Sequence, residues 1–115
     1  WLVLGDMIEL GNEEQEEHER LASLINSMNL DKIILVGPRV SKYTYPKTKS
    51  AEKFIMPKDA LDYLVNNLRG GEVILFKGAR FLEGIIEHLL FDKNDVKKLC
   101  RREKIWQLRR KKWGL

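Results

Sequence analysis

A chain of 115 residues and 13.5 kDa, 43% hydrophobic and 33% charged, has the size and composition of one folded domain with a buried core, which excludes collagen, low-complexity repeats and wholesale disorder. The formal net charge of +4 hides a division: residues 1–92 carry 11 Lys/Arg against 15 Asp/Glu, a net of −4, whereas residues 93–115 carry 10 against 2, a net of +8. The isoelectric point of 9.2 therefore describes the tail, and any attraction to a polyanion must originate there.

Trp1 to Leu4 is a short apolar run stopped by Gly5-Asp6, the pattern of a strand buried on both faces. Its start without Met or lead-in leads us to expect a piece of a longer chain. The loop Gly5 to Gly11 (GDMIELG) follows. Asn12 suits an N-cap with Gln15 three residues on, and Glu13, Glu14, Glu16 and Glu17 favour the positive end of a helix dipole. The spacing of Leu21, Leu24, Ile25 and Met28 predicts a helix from about Glu13 to Met28. Lys32 to Val36 predicts a second buried strand, ended by Gly37-Pro38. A helical turn can follow Pro38, and residues 43–51 read as a loop. Lys53 to Met56 is a brief strand candidate. Pro57 opens a helix with Ala60, Leu61, Leu64, Val65 and Leu68 on one side, ended by Gly70-Gly71. Glu72 to Lys77 reads as the clearest strand, and Phe81 to Leu90 as a helix with Leu82, Ile85, Ile86, Leu89 and Leu90 inward. Alternating strands and helices predict an α/β, Rossmann-like three-layer sandwich with a mostly parallel sheet and right-handed crossovers.

No apolar run approaches the roughly 20 residues that span a bilayer, and no secretory leader is recognisable. Cys100 has no partner for an internal disulfide, so a cytoplasmic location is expected. His18 and His88 lack metal-ligand spacing, so no metal site is expected, and neither GxxxxGK[ST] nor GxGxxG occurs.

In open parallel sheets, ligands bind beyond the carboxyl ends of strands. Three turns qualify: Gly5 to Gly11, Gly37 to Val40 and Lys77 to Arg80. The first offers Asp6 and Glu9, the last Lys77 and Arg80, and together they would grip a zwitterion, or a phosphate and a metal. Equally, the glycines serve tight turns and the charges face water. His18, on the second turn of the acidic helix, is either a surface partner of Glu14 or a group that packs back on the GDMIELG loop and supports it.

The loop GDMIELG followed by His18, the strand ending Val36-Gly37, and VILFKGAR leading from strand to helix resemble the C-terminal domain of the Mur ligases. Within that family the likeness is greatest to the branch that adds D-alanyl-D-alanine, and it covers residues 1 to about 90. The usual KGSR motif stands here as Lys77-Gly78-Ala79-Arg80, which loses the Ser hydroxyl and keeps the cations. The resemblance implies a fold and an activity. Members join an amino acid or dipeptide to a UDP-muramyl peptide in peptidoglycan precursor synthesis. ATP, with Mg2+, converts the peptide carboxylate to an acyl phosphate, and the incoming amine displaces phosphate to form an amide. The nucleotide and metal are held mainly by upstream domains. The C-terminal domain binds the incoming substrate and closes over the site. A first strand and helix carrying a YNANP-like motif would be missing here, leaving an open sheet position and a tendency to self-associate or to marginal stability. Asp6, Met7, Glu9, Lys77, Gly78 and Arg80 become the expected substrate-binding residues, with His18 supporting the loop; no catalytic residue is expected in this segment, which alone would be inactive.

Residues 93–115 lie outside the resemblance and divide the chain into a family domain, residues 1–92, and a basic helical extension. Asn94 or Asp95 would cap the helix, and Val96, Leu99, Cys100, Ile105, Trp106, Leu108 and Trp113 trace an imperfect apolar stripe among basic pairs. The stripe would dock on this or a neighbouring domain with the charges in water. A membrane surface or nucleic acid are the competing partners, and a noncatalytic module whose tail holds such a partner is the alternative to the ligase.

Overall fold

Residues 1–78 and 82–115 are described by a computed structural model, and the runs without a polar face build its centre. Four strands, β1 (Leu2–Gly5), β2 (Ile33–Val36), β3 (Glu52–Phe54) and β4 (Leu75–Lys77), form a parallel sheet in the order β3-β2-β1-β4. The helices are α1 (Glu14–Ser27), α2 (Pro57–Asn67), α3 (Leu82–Leu89) and α4 (Lys104–Lys112).

The register sorts side chains by the strand period of two. Leu2 pairs with Ile33 and Leu4 with Leu35, and this set packs with Ile25 and Val40 on one face. Val3 pairs with Ile34, and this set packs with Ala60, Leu61, Leu64, Leu82 and Ile85 on the other. Helix α1 thus covers one face and α2 with α3 the other, the expected α/β three-layer arrangement. Each fully buried Leu, Ile or Val contributes about 1.5–3 kcal/mol, so β1 and β2, buried along their whole length, anchor the fold.

Several local expectations are corrected. A 3-10 turn, Gly11–Glu13, precedes α1, so Glu13 rather than Asn12 stands at the N-cap, and Gln15 bonds Glu19 instead of completing a capping box. The fully buried residues of α1 are His18, Ala22 and Ile25, with Leu21 packed partly buried beside them; Leu24 is 59% exposed and Met28 also faces solvent. The expected helical turn does follow Pro38, but helical backbone then continues through a π-turn, Val40–Thr44, and a 3-10 turn, Tyr45–Lys47, into residues expected to be loop. Strand β3 lies one residue earlier than expected at its start and ends at Phe54. Val65 points outward from α2. Strand β4 begins only at Leu75, where its pairing with β1 starts at Leu2; before it, the Val73 carbonyl accepts from the Trp1 ammonium at 2.8 Å, and the Val73 side chain is 86% exposed. Leu75, on the α1 side, is also exposed, since no described helix reaches that end of the sheet.

The tail folds back on α3. Asp92, rather than Asn94 or Asp95, caps its first turn by accepting from the Asn94 N–H, and Lys93–Lys98 form a 3-10 helix. The expected apolar stripe makes the contact only in part: Ile105 and Leu108 are both half exposed, whereas Trp113 is partly buried beside the rim. Arg110 also makes it, and it is only 6% exposed. Among the described residues no helix is long and apolar enough to cross a membrane.

Candidate functional site

The chain runs from β1 to β2 to β3 in one direction, then crosses to β4 on the other side of β1. Open α/β sheets place ligands outside the carboxyl ends of their strands, where such order reversals open a crevice. A cavity of about 270 Å³ lies over the carboxyl ends of β1, β2 and β3. Gly5 and Asp6 follow β1, Gly37 to Arg39 follow β2, and Ile55 and Pro57 follow β3. Ile8 and Leu82 add apolar wall, and Arg109, Lys112 and Trp113 of the folded-back tail close one side.

Asp6 organises this rim. Its Oδ1 accepts the N–H groups of Arg39 at 3.0 Å and Val40 at 2.9 Å, so the loop after β1 caps the helical segment after β2. Its Oδ2 lies 3.6 Å from Arg39 Nη1, and Arg39 Nε donates to Glu14. Burial raises the Asp6 carboxyl above its ordinary value, against the two N–H groups and the guanidinium. The ion pair with Glu14 holds Arg39 more firmly charged. Gly37 has φ 129°, and a side chain there would stand 2.5 Å from Asp6 Oδ1. Only glycine fits between the strand and its cap.

His18 is fully buried. Its Nδ1 donates to the Glu14 carbonyl at 2.7 Å, which leaves Nε2 to accept the Met7 N–H at 3.3 Å. The ring therefore ties the β1 loop to α1, while the Glu14 carboxylate goes to Arg39 rather than to His18. Thr44, also buried, donates to the His18 carbonyl and extends the tie to the π-turn.

Of the expected site residues, Asp6 lines the cavity, with its carboxylate already engaged by Arg39 and two amides. Met7 and Glu9 belong to the same loop but not to the cavity wall, and Glu9 is exposed with φ 64°. Lys77 is exposed at the end of β4. Gly78 has φ 146° and rests against β1, so that a Cβ would lie 2.7 Å from the Gly5 backbone. Arg80 lies outside the described residues. Among the described residues no group of three or more His, Cys, Asp or Glu is arranged to hold a metal. Sequence reasoning named the turn at Gly37 but not Arg39, and it did not bring the tail to the rim. A signal was present in Gly84: a glycine inside α3 marks a close approach, here by Arg110 and Leu115.

No family model matches the chain, and no solved structure matches it. Curated relatives do. Over 96 residues, 77% of this chain, it is 32% identical to UDP-N-acetylmuramoyl-tripeptide–D-alanyl-D-alanine ligase of Bacillus subtilis (strain 168). It is 32% identical over 81 residues, 68% of the chain, to the ligase of the same name from Rickettsia prowazekii (strain Madrid E). The same identity holds over 103 residues, 86% of the chain, for that of Buchnera aphidicola subsp. Acyrthosiphon pisum (strain APS). The matched region is 21%, 18% and 22% of these relatives, so the chain spans about a fifth of their length.

Proposed function

We propose that this chain, whose similarities support the Mur ligase family, is the C-terminal substrate-binding and closure part of a ligase that adds D-alanyl-D-alanine to a UDP-muramyl-tripeptide. The observation that carries the reading is the match to ligases of that name over 68–86% of the chain. The parallel sheet supports it, because its carboxyl rim carries a cavity where such folds bind ligands. Residues 1–92 would be the family domain and residues 93–115 an extension that folds onto it.

The described residues do not fit ATP and Mg2+. They contain no glycine-rich phosphate cradle with its Lys and hydroxyl, and no acidic cluster suited to the metal. In this reading both are held by other parts of the longer protein. The work of this segment is positioning. The His18 and Asp6 ties fix the loop that faces the incoming dipeptide. Asp6, Met7, Glu9, Lys77, Gly78 and Arg80 are the residues proposed to surround it. Closure of the rim would keep water from a hydrolysable acyl group.

The test is the identity of the product. The polypeptide carrying this segment with its nucleotide-binding domains is incubated with UDP-muramyl-tripeptide, ATP, Mg2+ and either D-alanyl-D-alanine or single amino acids. Mass spectrometry should find the tripeptide extended by the dipeptide less one water. Extension by a single amino acid would place the chain in another branch, and no extension at all would contradict the ligase reading.

A further inference from the structure

The tail carries its cations to two destinations. Arg101, Arg102 and Arg110 are spent on α3: Arg102 donates to Glu87 at 2.6 Å, and Arg101 and Arg110 stand 3.7 and 3.8 Å from Glu83. Arg109 and Lys112 face the other way, into the wall of the rim cavity. Both are exposed, and neither has a carboxylate within ion-pair distance among the described residues. Arg109 lies over the Trp106 ring, 4.8 Å from its centre, a contact that holds the guanidinium without neutralising it.

The acidic group in the cavity does not cancel these charges. Asp6 accepts two N–H groups and shares the Arg39 guanidinium with Glu14, so these three side chains carry one net negative charge against the two cations of α4. The remaining lining is largely apolar, with Ile8, Ile55, Pro57 and Leu82 beside the Trp113 ring. Two unneutralised cations at the mouth of a small, partly apolar cavity strengthen attraction for an anion, because the walls displace water. The cavity, about 270 Å³, sits at the small end of ligand pockets, and it excludes a duplex or an extended polymer.

We propose that α4 completes an anion site on the rim: Arg109 and Lys112, beside Trp113, take a compact ligand bearing a carboxylate or phosphate into the cavity over Gly5, Gly37 and Pro38. The guanidinium supplies a planar fork for paired oxygens and the ammonium a point charge. The apolar wall receives the uncharged part of the ligand. All these groups come from this chain, so the proposal does not rest on the ligase reading.

The experiment titrates the 115-residue chain separately with inorganic phosphate, ADP and succinate. It follows the indole N–H resonance of Trp113 by NMR, assigned through Trp113→Phe. A saturable shift is expected with at least one of them, and comparison of the three separates phosphate from carboxylate preference. Arg109→Gln and Lys112→Gln should each weaken binding roughly tenfold, the loss of one charge-assisted hydrogen bond. Lys111→Gln, the same charge change on a residue away from this cavity, should leave affinity within about twofold. Absence of a saturable shift with all three anions would overturn the proposal. So would an equal loss in Lys111→Gln and Lys112→Gln, which would reduce the effect to general attraction by a basic tail.

Discussion

Replacing Arg110 with Met should destabilise the chain by about 3 kcal/mol. Arg110 and Glu83 are 6% and 5% exposed, with Nη1 3.8 Å from the carboxylate. At that distance an effective dielectric constant of 20 gives an attraction of about 4 kcal/mol, offset in the intact protein by the desolvation of both ions. The substitution removes the attraction and leaves the Glu83 desolvation in place. Arg101, 3.7 Å from Glu83, limits the loss and sets the expectation at the lower end of the range for broken buried pairs. The lost bond from Arg110 Nη1 to the Arg101 carbonyl, 2.9 Å, works in the same direction. The double variant Glu83→Leu/Arg110→Met buries no charge at either position and should unfold within about 1 kcal/mol of the wild type. Urea unfolding at neutral pH, followed by circular dichroism and by tryptophan fluorescence, measures all three proteins and Glu83→Leu. A loss below about 0.5 kcal/mol in Arg110→Met, the scale of an exposed ion pair, would refute the reasoning. A double variant that loses the sum of both single changes would do so as well.

Glu87 gives the tail contact a pH dependence. The hydrogen bond from Arg102 holds its carboxyl below the ordinary 4.5, with Arg110 acting in the same direction. Because the folded value is depressed, this stabilisation is complete above the unfolded value and lost as pH falls through the folded one. Glu87→Gln should therefore flatten the fall in stability below about pH 4.5, measured by thermal melts across that range. An unchanged slope would show that Arg102 does not hold Glu87 in solution. His18→Ala should cost about 2–4 kcal/mol, since it opens a cavity and leaves the Met7 N–H without its acceptor. Hydrogen exchange should show the Met7 amide among the first to lose protection, and retained protection there would remove His18 from its loop-tying role.

The elements legible in the sequence are those whose burial is decided locally. Strands β1 and β2 are apolar on both faces and are buried on both faces, so composition and cover agree. Helix α2 likewise starts at Pro57 as its sequence predicts, because a proline at the first helical position sacrifices no hydrogen bond. Legibility fails where cover is decided by distant chain. Val73 and Leu75 are as apolar as core residues, yet both side chains lie uncovered at the sheet edge, and β4 pairs with β1 only from Leu75 onward, so hydrophobicity overstated both its burial and its length. The face of α1 is set partly by His18, whose two hydrogen bonds let a polar ring be as buried as Ala22 and Ile25, with Leu24 turned outward.

The site shows the same division. Loop GDMIELG and the turn at Gly37 stand out by their glycines, and the rim does form there. What the loop's acid does was not legible, because Asp6 meets the amides of Arg39 and Val40 only once β1 and β2 pair. The apolar stripe of the tail predicts docking by Ile105 and Leu108, whereas the docked groups are Arg101, Arg102 and Arg110 together with Leu115 and Trp113. Nothing in the spacing of Arg101, Arg102 and Arg110 distinguishes them from solvated cations until α3 presents Glu83 and Glu87. Gly84 was the local hint, since a helix interior keeps a glycine at a cost of about 1 kcal/mol unless something must come close.

The most direct test of the central claim is phosphate release by the polypeptide that joins this segment to its nucleotide-binding domains, with UDP-muramyl-tripeptide, ATP and Mg2+, in the presence and absence of D-alanyl-D-alanine. The account predicts release that depends on the dipeptide and falls in both Asp6→Ala and Arg80→Ala. Dipeptide-dependent release left unchanged by both substitutions would contradict the assignment of the rim, and release indifferent to the dipeptide would contradict the ligase reading itself.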